Sequence, residues 1–169
     1  MLEHKCQHYN LLPPDASRWV SSRCLCRRTV PKEILSWLID RGSLTSRLQE
    51  KSNGAFRVQV LSQGYHSPHT HERRVLQLES GRWCFIRQVH LLCNHIPVVY
   101  ARTVIPIASL TGPELRLTRL GTKSLGGLLF SEQNMIRDEL QIACITRHQG
   151  LYREAVDKTG LTPENIWGR

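Results

Sequence analysis

The sequence lacks any apolar run long enough to cross a bilayer. Its longest apolar stretches, such as PVVYA and IPIA, fall far short of the roughly 20 residues that a membrane-spanning helix needs. The amino terminus, MLEHKCQHYN, has no apolar core of the kind found in a secretory signal. These absences predict a cytoplasmic protein without a membrane partner.

Acidic residues are scarce, with 14 Asp and Glu against 23 Lys and Arg, so the formal net charge is +9. Such an excess favours anionic partners: nucleic acid, a membrane surface or a small polyanion. The basic residues are scattered, aromatic residues make up only 7% of the chain, and no recognition-helix or RNA-binding pattern interleaves them. The composition therefore predicts no nucleic-acid partner and leaves a small carboxylate ligand open.

The six cysteines lack the paired C-x-x-C spacing of a structural zinc site, so we expect reduced thiols. Two clusters are candidate metal sites: Cys24 and Cys26 with His4 and His8, and His66, His69 and His71 in a loop around Pro68. Neither cluster has a second tight pair or a clear fourth ligand. We therefore predict no metal site.

The spacing of a phosphate-binding loop is also absent. In the stretch LGTKSLGGLLF, Thr122 precedes Lys123, whereas a P-loop requires G-x-x-x-x-G-K-[ST] after a strand. Two interpretations stay open at this stage. Either Gly121 ends a helix and Gly126 and Gly127 permit close packing, or the stretch holds an anion other than phosphate.

A chain of 169 residues suits one domain. We expect residues 1–28 to form an arm, because Pro13 and Pro14 interrupt any helix there, and residues 29–169 to form the domain. Helical spacing follows Pro31, and Ser43 is placed to cap a second helix.

A period of two begins at Phe56 and predicts strands: FRVQVLSQG, VLQLES, RWCFIRQVHLLCN and PVVYARTVIPI, the last two joined by a turn from Cys93 to Ile96. Short antiparallel strands, with helices before and after them in the chain, predict an α+β domain.

The last third of the chain is predicted to be helical. The predicted helices are one from a capping box at Thr111–Glu114 to Gly121, one from about Ser131 that buries Met135, Ile136, Leu140, Ile142 and Ala143, one over residues 151–158, and one that starts at Thr162–Pro163.

Arg87 departs from the pattern of its strand. Alternation places it with Phe85, Val89 and Leu91 on the more apolar face. A guanidinium there is costly unless an anion meets it, and its planar fork suits a carboxylate. An internal salt bridge, or an edge position from which the side chain reaches water, would also explain it. Arg102 on the next strand raises the same question, and solvent is the simpler expectation for it.

The order of these motifs resembles the chorismate pyruvate-lyase family, whose members make 4-hydroxybenzoate for ubiquinone synthesis in Gram-negative bacteria. The likeness runs from about residue 29 to 169 and rests on ILSWLIDRGSLTSRL, FRVQVLSQG, RQVHLLCN, HIPVVYARTVIP, SLTGPELRLTRLGTKSLGGLLF and WGR. It implies an antiparallel sheet with helices that close over an internal ligand cavity. It also implies a lyase that needs no cofactor, with chorismate as substrate and 4-hydroxybenzoate as product. We expect a monomer.

The resemblance also assigns roles to individual residues. It makes Arg87 the candidate catalytic residue and the partner of the ring carboxylate, and the backbone amides of Leu44 and Leu125 complete the carboxylate pocket. The glycine-rich stretch would then hold a carboxylate, through the amide of Leu125. Arg102 or Lys123 is the candidate contact for the second carboxylate of chorismate.

Family members continue past the WGR motif into further strands, the last of which carries a glutamate that hydrogen-bonds the ring hydroxyl. This sequence has no counterpart to that glutamate, so we expect a domain that lacks its last strands and has weak activity. Two alternative functions follow: a truncated, inactive lyase homologue, or a small-molecule-sensing domain of the same fold.

Overall fold

The computed structural model describes residues 17–25, 29–130 and 136–169. In chain order the elements are β1 (Val20–Ser21), α1 (Lys32–Leu38), α2 (Leu44–Lys51), β2 (Phe56–His66), α3 (Thr70–Val75), β3 (Cys84–Cys93), β4 (Ile96–Pro106), the 3-10 helices Ile107–Ser109 and Gly112–Arg119, α4 (Leu125–Phe130), β5 (Gln141–Thr146), α5 (Gly150–Val156) and β6 (Asn165–Gly168). They form two compact units: a central unit, Gly42–Arg137, and a terminal unit, Met1–Arg41 with Asp138–Arg169. No helix within the described ranges is long and apolar enough to cross a membrane.

The terminal unit contains a three-stranded antiparallel sheet in the order β1-β5-β6. Its middle strand, β5, places Ile142 and Ile145 in the core, at 0% and 2% exposure. Ile142 packs with Leu38 of α1, and Ile145 packs with Tyr152 of α5. Strand β5 therefore contributes to two hydrophobic clusters, one with α1 and one with α5.

The central unit contains a second antiparallel sheet, in the order β2-β3-β4. A two-residue turn joins β3 to β4, and Asn94 and His95 both have positive φ there, 51° and 67°. Such a turn matches the twist of paired strands. Strand β3 lies between its two neighbours and is buried on both faces, with Phe85 and Ile86 at 4% and 3% exposure.

A β-bulge in β2 changes which side chains share a face. Val60 pairs with Val89, but the next pair is Ser62 with Gln88, so Leu61 is an extra residue in β2. An extra residue shifts the period-two alternation by one position. Gln63, which pairs with Arg87, consequently lies on the same face of the sheet as Val60.

The helices of the central unit cover the two faces of this sheet. Helix α2 lies on the Arg87 face, where the Cys93 thiol donates to the carbonyl of Leu48. Helix α3 lies on the opposite face, where Glu72 is paired with Arg102. The sheet therefore separates two different polar environments.

The α+β class and the strands β2, β3 and β4 confirm the predictions from periodicity. Helix α2 begins as predicted, since the Ser43 hydroxyl accepts a hydrogen bond from the Ser46 amide at 3.2 Å. Helix α5 was also expected. The arm over residues 1–28 stays a prediction; β1 lies within that range and pairs with β5.

Four local predictions were wrong. VLQLES forms the end of α3 and a turn, with Gln77 at a φ of 52°. Ile142 and Ala143 belong to strand β5, while Ile136 is 95% exposed; residues 131–135 lie outside the described ranges. The Thr162–Pro163 segment leads into strand β6.

The fourth wrong prediction is the capping box at Thr111. The segment forms a 3-10 helix, Gly112–Arg119, and within the described residues the Thr111 side chain makes no cap hydrogen bond.

The errors at β5 and β6 have a common reason. Short apolar segments satisfy helical and extended patterns equally well, so pairing with other strands decides whether such a segment is extended.

Candidate active site

Arg87 is a buried cation on the middle strand of the central sheet. Only 3% of the residue is exposed. Its Nη1 donates to Gln63 Oε1 at 2.9 Å, and its Nη2 donates to the carbonyl of Lys123 at 3.1 Å. Among the described residues no carboxylate lies within ion-pair distance of it. Burial lowers the pKa of Arg87, yet a guanidinium stays protonated at neutral pH, so its positive charge is retained without a protein counter-charge in this region.

The starts of two helices meet beside Arg87. Leu44 and Leu125 are the first residues of α2 and α4, where backbone N–H groups have no partner within their own helix. Thr45 follows Leu44, and Ser124 precedes Leu125. Their hydroxyl groups link the two helices, since Thr45 Oγ1 lies 2.7 Å from Ser124 Oγ. A Cβ at Gly126 would approach Thr45 Oγ1 to 3.1 Å, so glycine permits this close contact. The structure thus brings the sequence neighbours of Leu44 and Leu125 together.

A cleft of about 730 Å³ opens at this junction. It is lined by α2, the start of β2 and the glycine-rich stretch: Thr45, Ser46, Gln49, Phe56, Arg57, Val58, Leu120, Thr122, Lys123, Ser124, Gly127 and Leu128. The same residue, Lys123, lines the cleft and provides the carbonyl that accepts from Arg87. The cleft is therefore large enough for a ring-sized ligand, and its lining includes two cationic residues, Arg57 and Lys123.

Arg102 lies on the opposite face of the sheet. It pairs with Gln88, one position out of phase with Arg87. Its Nε and Nη2 donate to the two carboxylate oxygens of Glu72 at 2.7 and 3.2 Å, and the two side chains are only 10% and 14% exposed. The expectation that Arg102 reaches solvent is wrong, because Arg102 forms a largely buried ion pair with Glu72. The structure does not bring Arg102 to the cleft beside Arg87.

The histidines of the YHSPHTHE segment occupy different elements. His66 ends β2, His69 precedes α3 and His71 lies within it. Burial lowers the pKa of His71. Across the described ranges, no group of three or more His, Cys, Asp or Glu side chains could hold a metal ion. In the other candidate cluster, Cys26, His4 and His8 lie outside the described residues.

Two features of the site were missed from the sequence. Gln63 was assigned to a strand but not to the Arg87 face, because the bulge at Leu61 interrupts the alternation. Gly64, directly after Gln63, is the available signal, since glycine inside a strand often marks a bulge. The contact between Thr45 and Ser124 spans 79 positions of the chain and leaves no local pattern.

Comparison with known protein sequences places this chain in a family. The sequence model of the chorismate lyase family matches residues 14–158. The chain belongs to this family. It is 35% identical over 145 residues to a protein of Aromatoleum aromaticum named "Probable chorismate pyruvate-lyase", a match that covers 85% of this chain and 78% of that protein.

Two further relatives carry the same name. The one from Psychromonas ingrahamii is 32% identical over 158 residues, covering 94% of this chain and 84% of the relative. The one from Pseudomonas aeruginosa is 35% identical over 156 residues, covering 92% of this chain and 83% of the relative. The family and these names support a lyase, and the cleft beside Arg87 is the candidate site for its chemistry.

Proposed function

We propose that this member of the chorismate lyase family eliminates pyruvate from chorismate and leaves 4-hydroxybenzoate, a precursor for ubiquinone synthesis. The observation that carries the proposal is Arg87: a guanidinium at 3% exposure that has only neutral acceptors among the described residues. A buried cation of this kind is stabilised when an anionic ligand meets it. The names of the relatives give the identity of that ligand.

In this proposal the ring carboxylate binds between Arg87 and the first amides of α2 and α4. The guanidinium supplies charge-assisted hydrogen bonds, and the amides of Leu44 and Leu125 supply two further donors. Helix starts favour anions, because their free N–H groups and the helix dipole point toward the ligand. The contact between Thr45 and Ser124, at 2.7 Å, supports a pocket in which both amides act on one carboxylate.

The second carboxylate, on the enolpyruvyl group, is assigned to Lys123 in preference to Arg102. Lys123 lines the cleft and is exposed to solvent, so its ammonium is available to a ligand. Arg102 already shares both oxygens of Glu72 and faces the other side of the sheet. Its charge is therefore largely compensated before any ligand arrives.

The reaction needs little from the protein beyond orientation. The ether C–O bond to the ring breaks, a proton leaves the neighbouring ring carbon, and the released enolpyruvate takes up a proton to become pyruvate. The ring becomes aromatic, so the products lie well downhill. The residues at the cleft hold the dianion in reactive geometry and offset the negative charge that develops on the departing group.

Replacement of Arg87 by Met tests the proposal. We expect kcat/KM for chorismate to fall by about 10- to 150-fold, the equivalent of the roughly 1.5 to 3 kcal/mol that a charge-assisted hydrogen bond contributes. Pyruvate release is followed with a coupled lactate dehydrogenase assay, and 4-hydroxybenzoate is quantified by chromatography. Arg74→Met is the matched control: Arg74 is exposed on α3, and its loss removes the same charge without touching the cleft.

Three other results would contradict parts of this proposal. Equal kcat/KM for Arg87→Met and Arg74→Met would contradict the assignment of Arg87. Binding of 4-hydroxybenzoate without pyruvate release by the wild-type chain would favour a binding protein over a lyase. Lys123→Met should raise KM, and an unchanged KM would remove Lys123 from the site.

A further inference from the structure

Gln63 is the side chain that holds the buried guanidinium of Arg87. Its Oε1 accepts from Arg87 Nη1 at 2.9 Å, and its Nε2 donates to the carbonyl of Thr118 at 3.4 Å. This arrangement leaves one orientation of the amide, since the NH2 group must face the carbonyl and the oxygen must face the guanidinium. The 3-10 helix that contains Thr118 thus orients Gln63, and Gln63 orients Arg87.

The bulge at Leu61 is what makes this contact possible. Val60 and Gln63 are three positions apart, and in a regular strand they would lie on opposite faces. The register shift between Val60 and Ser62 places both on the Arg87 face, with Gln63 directly opposite Arg87. Because β2 is an edge strand of this sheet, Gln63 is itself exposed to solvent. Its side chain thus has little value as core packing, and its hydrogen bonds are its main contribution.

The two acceptors of Arg87 leave part of the guanidinium available. Gln63 and the Lys123 carbonyl take one N–H each of the five that a guanidinium carries. The remaining N–H groups have no acceptor within the described part of the chain. Both contacts also constrain the planar group, and the Lys123 carbonyl ties it to the segment that leads directly into Leu125.

We propose that Gln63 is a positioning residue, which fixes the plane of the Arg87 guanidinium so that its free N–H groups meet a ligand carboxylate. The inference rests on the proposed function, because the carboxylate is the one that chorismate and 4-hydroxybenzoate share. A fixed guanidinium has already lost its rotamer freedom, so a ligand binds it with a smaller entropic penalty. Gln63 therefore acts on affinity through Arg87 and does not touch the reacting atoms.

The test compares Gln63→Met with Gln59→Met. Methionine has about the same length as glutamine but no hydrogen-bonding amide, and Gln59 is an exposed residue of the same strand. We expect Gln63→Met to raise the Kd of 4-hydroxybenzoate in calorimetry, and the KM for chorismate, by about five- to tenfold, the equivalent of one hydrogen bond. We expect kcat to stay within about twofold, because the carboxylate is held alike in the ground state and the transition state. Gln59→Met should leave all three values unchanged.

A spectroscopic signature separates this inference from the proposed function. The Nε–Hε signal of Arg87 in 15N NMR spectra is assigned by its loss in Arg87→Met. It should show a rigid side chain in the wild type and a mobile one in Gln63→Met. The thermal midpoint of Gln63→Met should fall only by a few degrees, because the variant stays folded but leaves one N–H of the buried Arg87 guanidinium without its acceptor.

If the wild type neither binds 4-hydroxybenzoate nor releases pyruvate, the proposed function fails, and the NMR comparison still decides the role of Gln63. An equally rigid Arg87 signal in Gln63→Met would overturn the inference. So would an unchanged Kd in that variant when the wild type does bind.

Discussion

At the scale of residues, two arginines in adjacent strands, one buried and one largely buried, are stabilised in different ways. Arg102 is neutralised by Glu72, 30 positions away in the chain, whereas Arg87 is held by Gln63 and Lys123, 24 and 36 positions away. Alternation in the sequence identified Arg87 as unusual because its own strand neighbours are apolar. It did not identify the partners of either arginine, because every one of them is distant in the chain.

The pairing of Glu72 with Arg102 predicts a pH-dependent contribution to stability. Burial alone would raise the pKa of Glu72, but the hydrogen bonds from the Arg102 side chain and the His69 amide outweigh it, and the pKa is lowered below 4.5. A carboxyl with a lowered pKa stabilises the fold above its unfolded pKa, and that stability is lost as the pH falls through the folded pKa. Glu72→Gln should therefore lower the free energy of unfolding by about 1 to 3 kcal/mol at pH 7, since it removes the carboxylate that accepts two hydrogen bonds from Arg102.

Urea unfolding at pH 7 and at a pH below the folded pKa of Glu72 measures this effect. At the lower pH Glu72 is protonated in the wild type. The difference in the free energy of unfolding between the wild type and Glu72→Gln should therefore become smaller. Glu79→Gln is the control, because Glu79 forms an exposed ion pair with Arg82 and its loss should matter little. If Glu72→Gln lowers the free energy of unfolding equally at both pH values, packing and not charge stabilises the pair of Glu72 and Arg102.

At the scale of elements, the candidate pocket depends on where two short helices begin. Serines precede both: Ser43 accepts from the Ser46 amide at 3.2 Å, and Ser124 accepts from the Gly127 amide at 3.3 Å. Ser43 was recognised from the sequence, because a serine before an amphipathic segment is a typical N-cap. Ser124 was not, since the glycines after it are typical of a turn and not of a helix.

Loss of the Ser43 cap should destabilise α2. Ser43→Ala removes the acceptor for the Ser46 amide, and N-cap replacements of this kind lower the free energy of unfolding by about 1 kcal/mol. Ser43→Thr retains a hydroxyl and should lie close to the wild type. Urea unfolding of the wild type, Ser43→Ala and Ser43→Thr at one pH measures the order of their stabilities. If Ser43→Ala is as stable as Ser43→Thr, the cap contributes nothing and the start of α2 is maintained by its contacts alone.

At the scale of the whole molecule, the chain leaves the terminal unit after Arg41 and returns to it at Asp138. Strand β5 pairs with β1 on one side and with β6 on the other. Arg169 donates to the carbonyls of Trp37 and Asp40, both at 2.6 Å, near the carboxyl end of α1. The folding of this unit therefore requires contacts between residues at both ends of the sequence.

Gly168 tests how tightly β6 is packed. A Cβ at this position would lie 2.6 Å from Cη2 of Trp19 and 3.0 Å from Cδ1 of Ile145. The indole is rigid and Ile145 is 2% exposed, so neither can move without disturbing the core. Gly168→Ala should lower the free energy of unfolding by about 1 to 3 kcal/mol, as is usual for an overpacked site.

Tryptophan fluorescence during heating measures the effect, because three of the four tryptophans, Trp19, Trp37 and Trp167, belong to the terminal unit. The control is Gly150→Ala, where an added Cβ meets nothing within 4 Å. The thermal midpoint should fall by several degrees for Gly168→Ala and should stay the same or rise slightly for Gly150→Ala, where alanine favours the helix. A midpoint for Gly168→Ala equal to that of the wild type would show that the sheet relaxes around the methyl group.

The sequence by itself determined the elements whose signals are local. Period-two alternation identified β2, β3 and β4, and Pro31 and Ser43 marked the helices that follow them. The position of Arg87 among apolar neighbours marked it as unusual and left three explanations open: an anion site, an internal salt bridge or an edge position. These features depend only on residues a few positions apart, so the order of amino acids contains all the information they need.

Only the tertiary structure decided the features that depend on distant partners. Strand β5 is extended because β1 and β6 pair with it, although Ile142 and Ala143 also fit a helical stripe. Gln63 faces Arg87 because a bulge in an edge strand changes the register against β3. Arg102 is largely shielded from solvent because Glu72 on a separate helix pairs with it. In each case two conformations were locally acceptable, and hydrogen bonds or charges from elsewhere in the chain selected one of them.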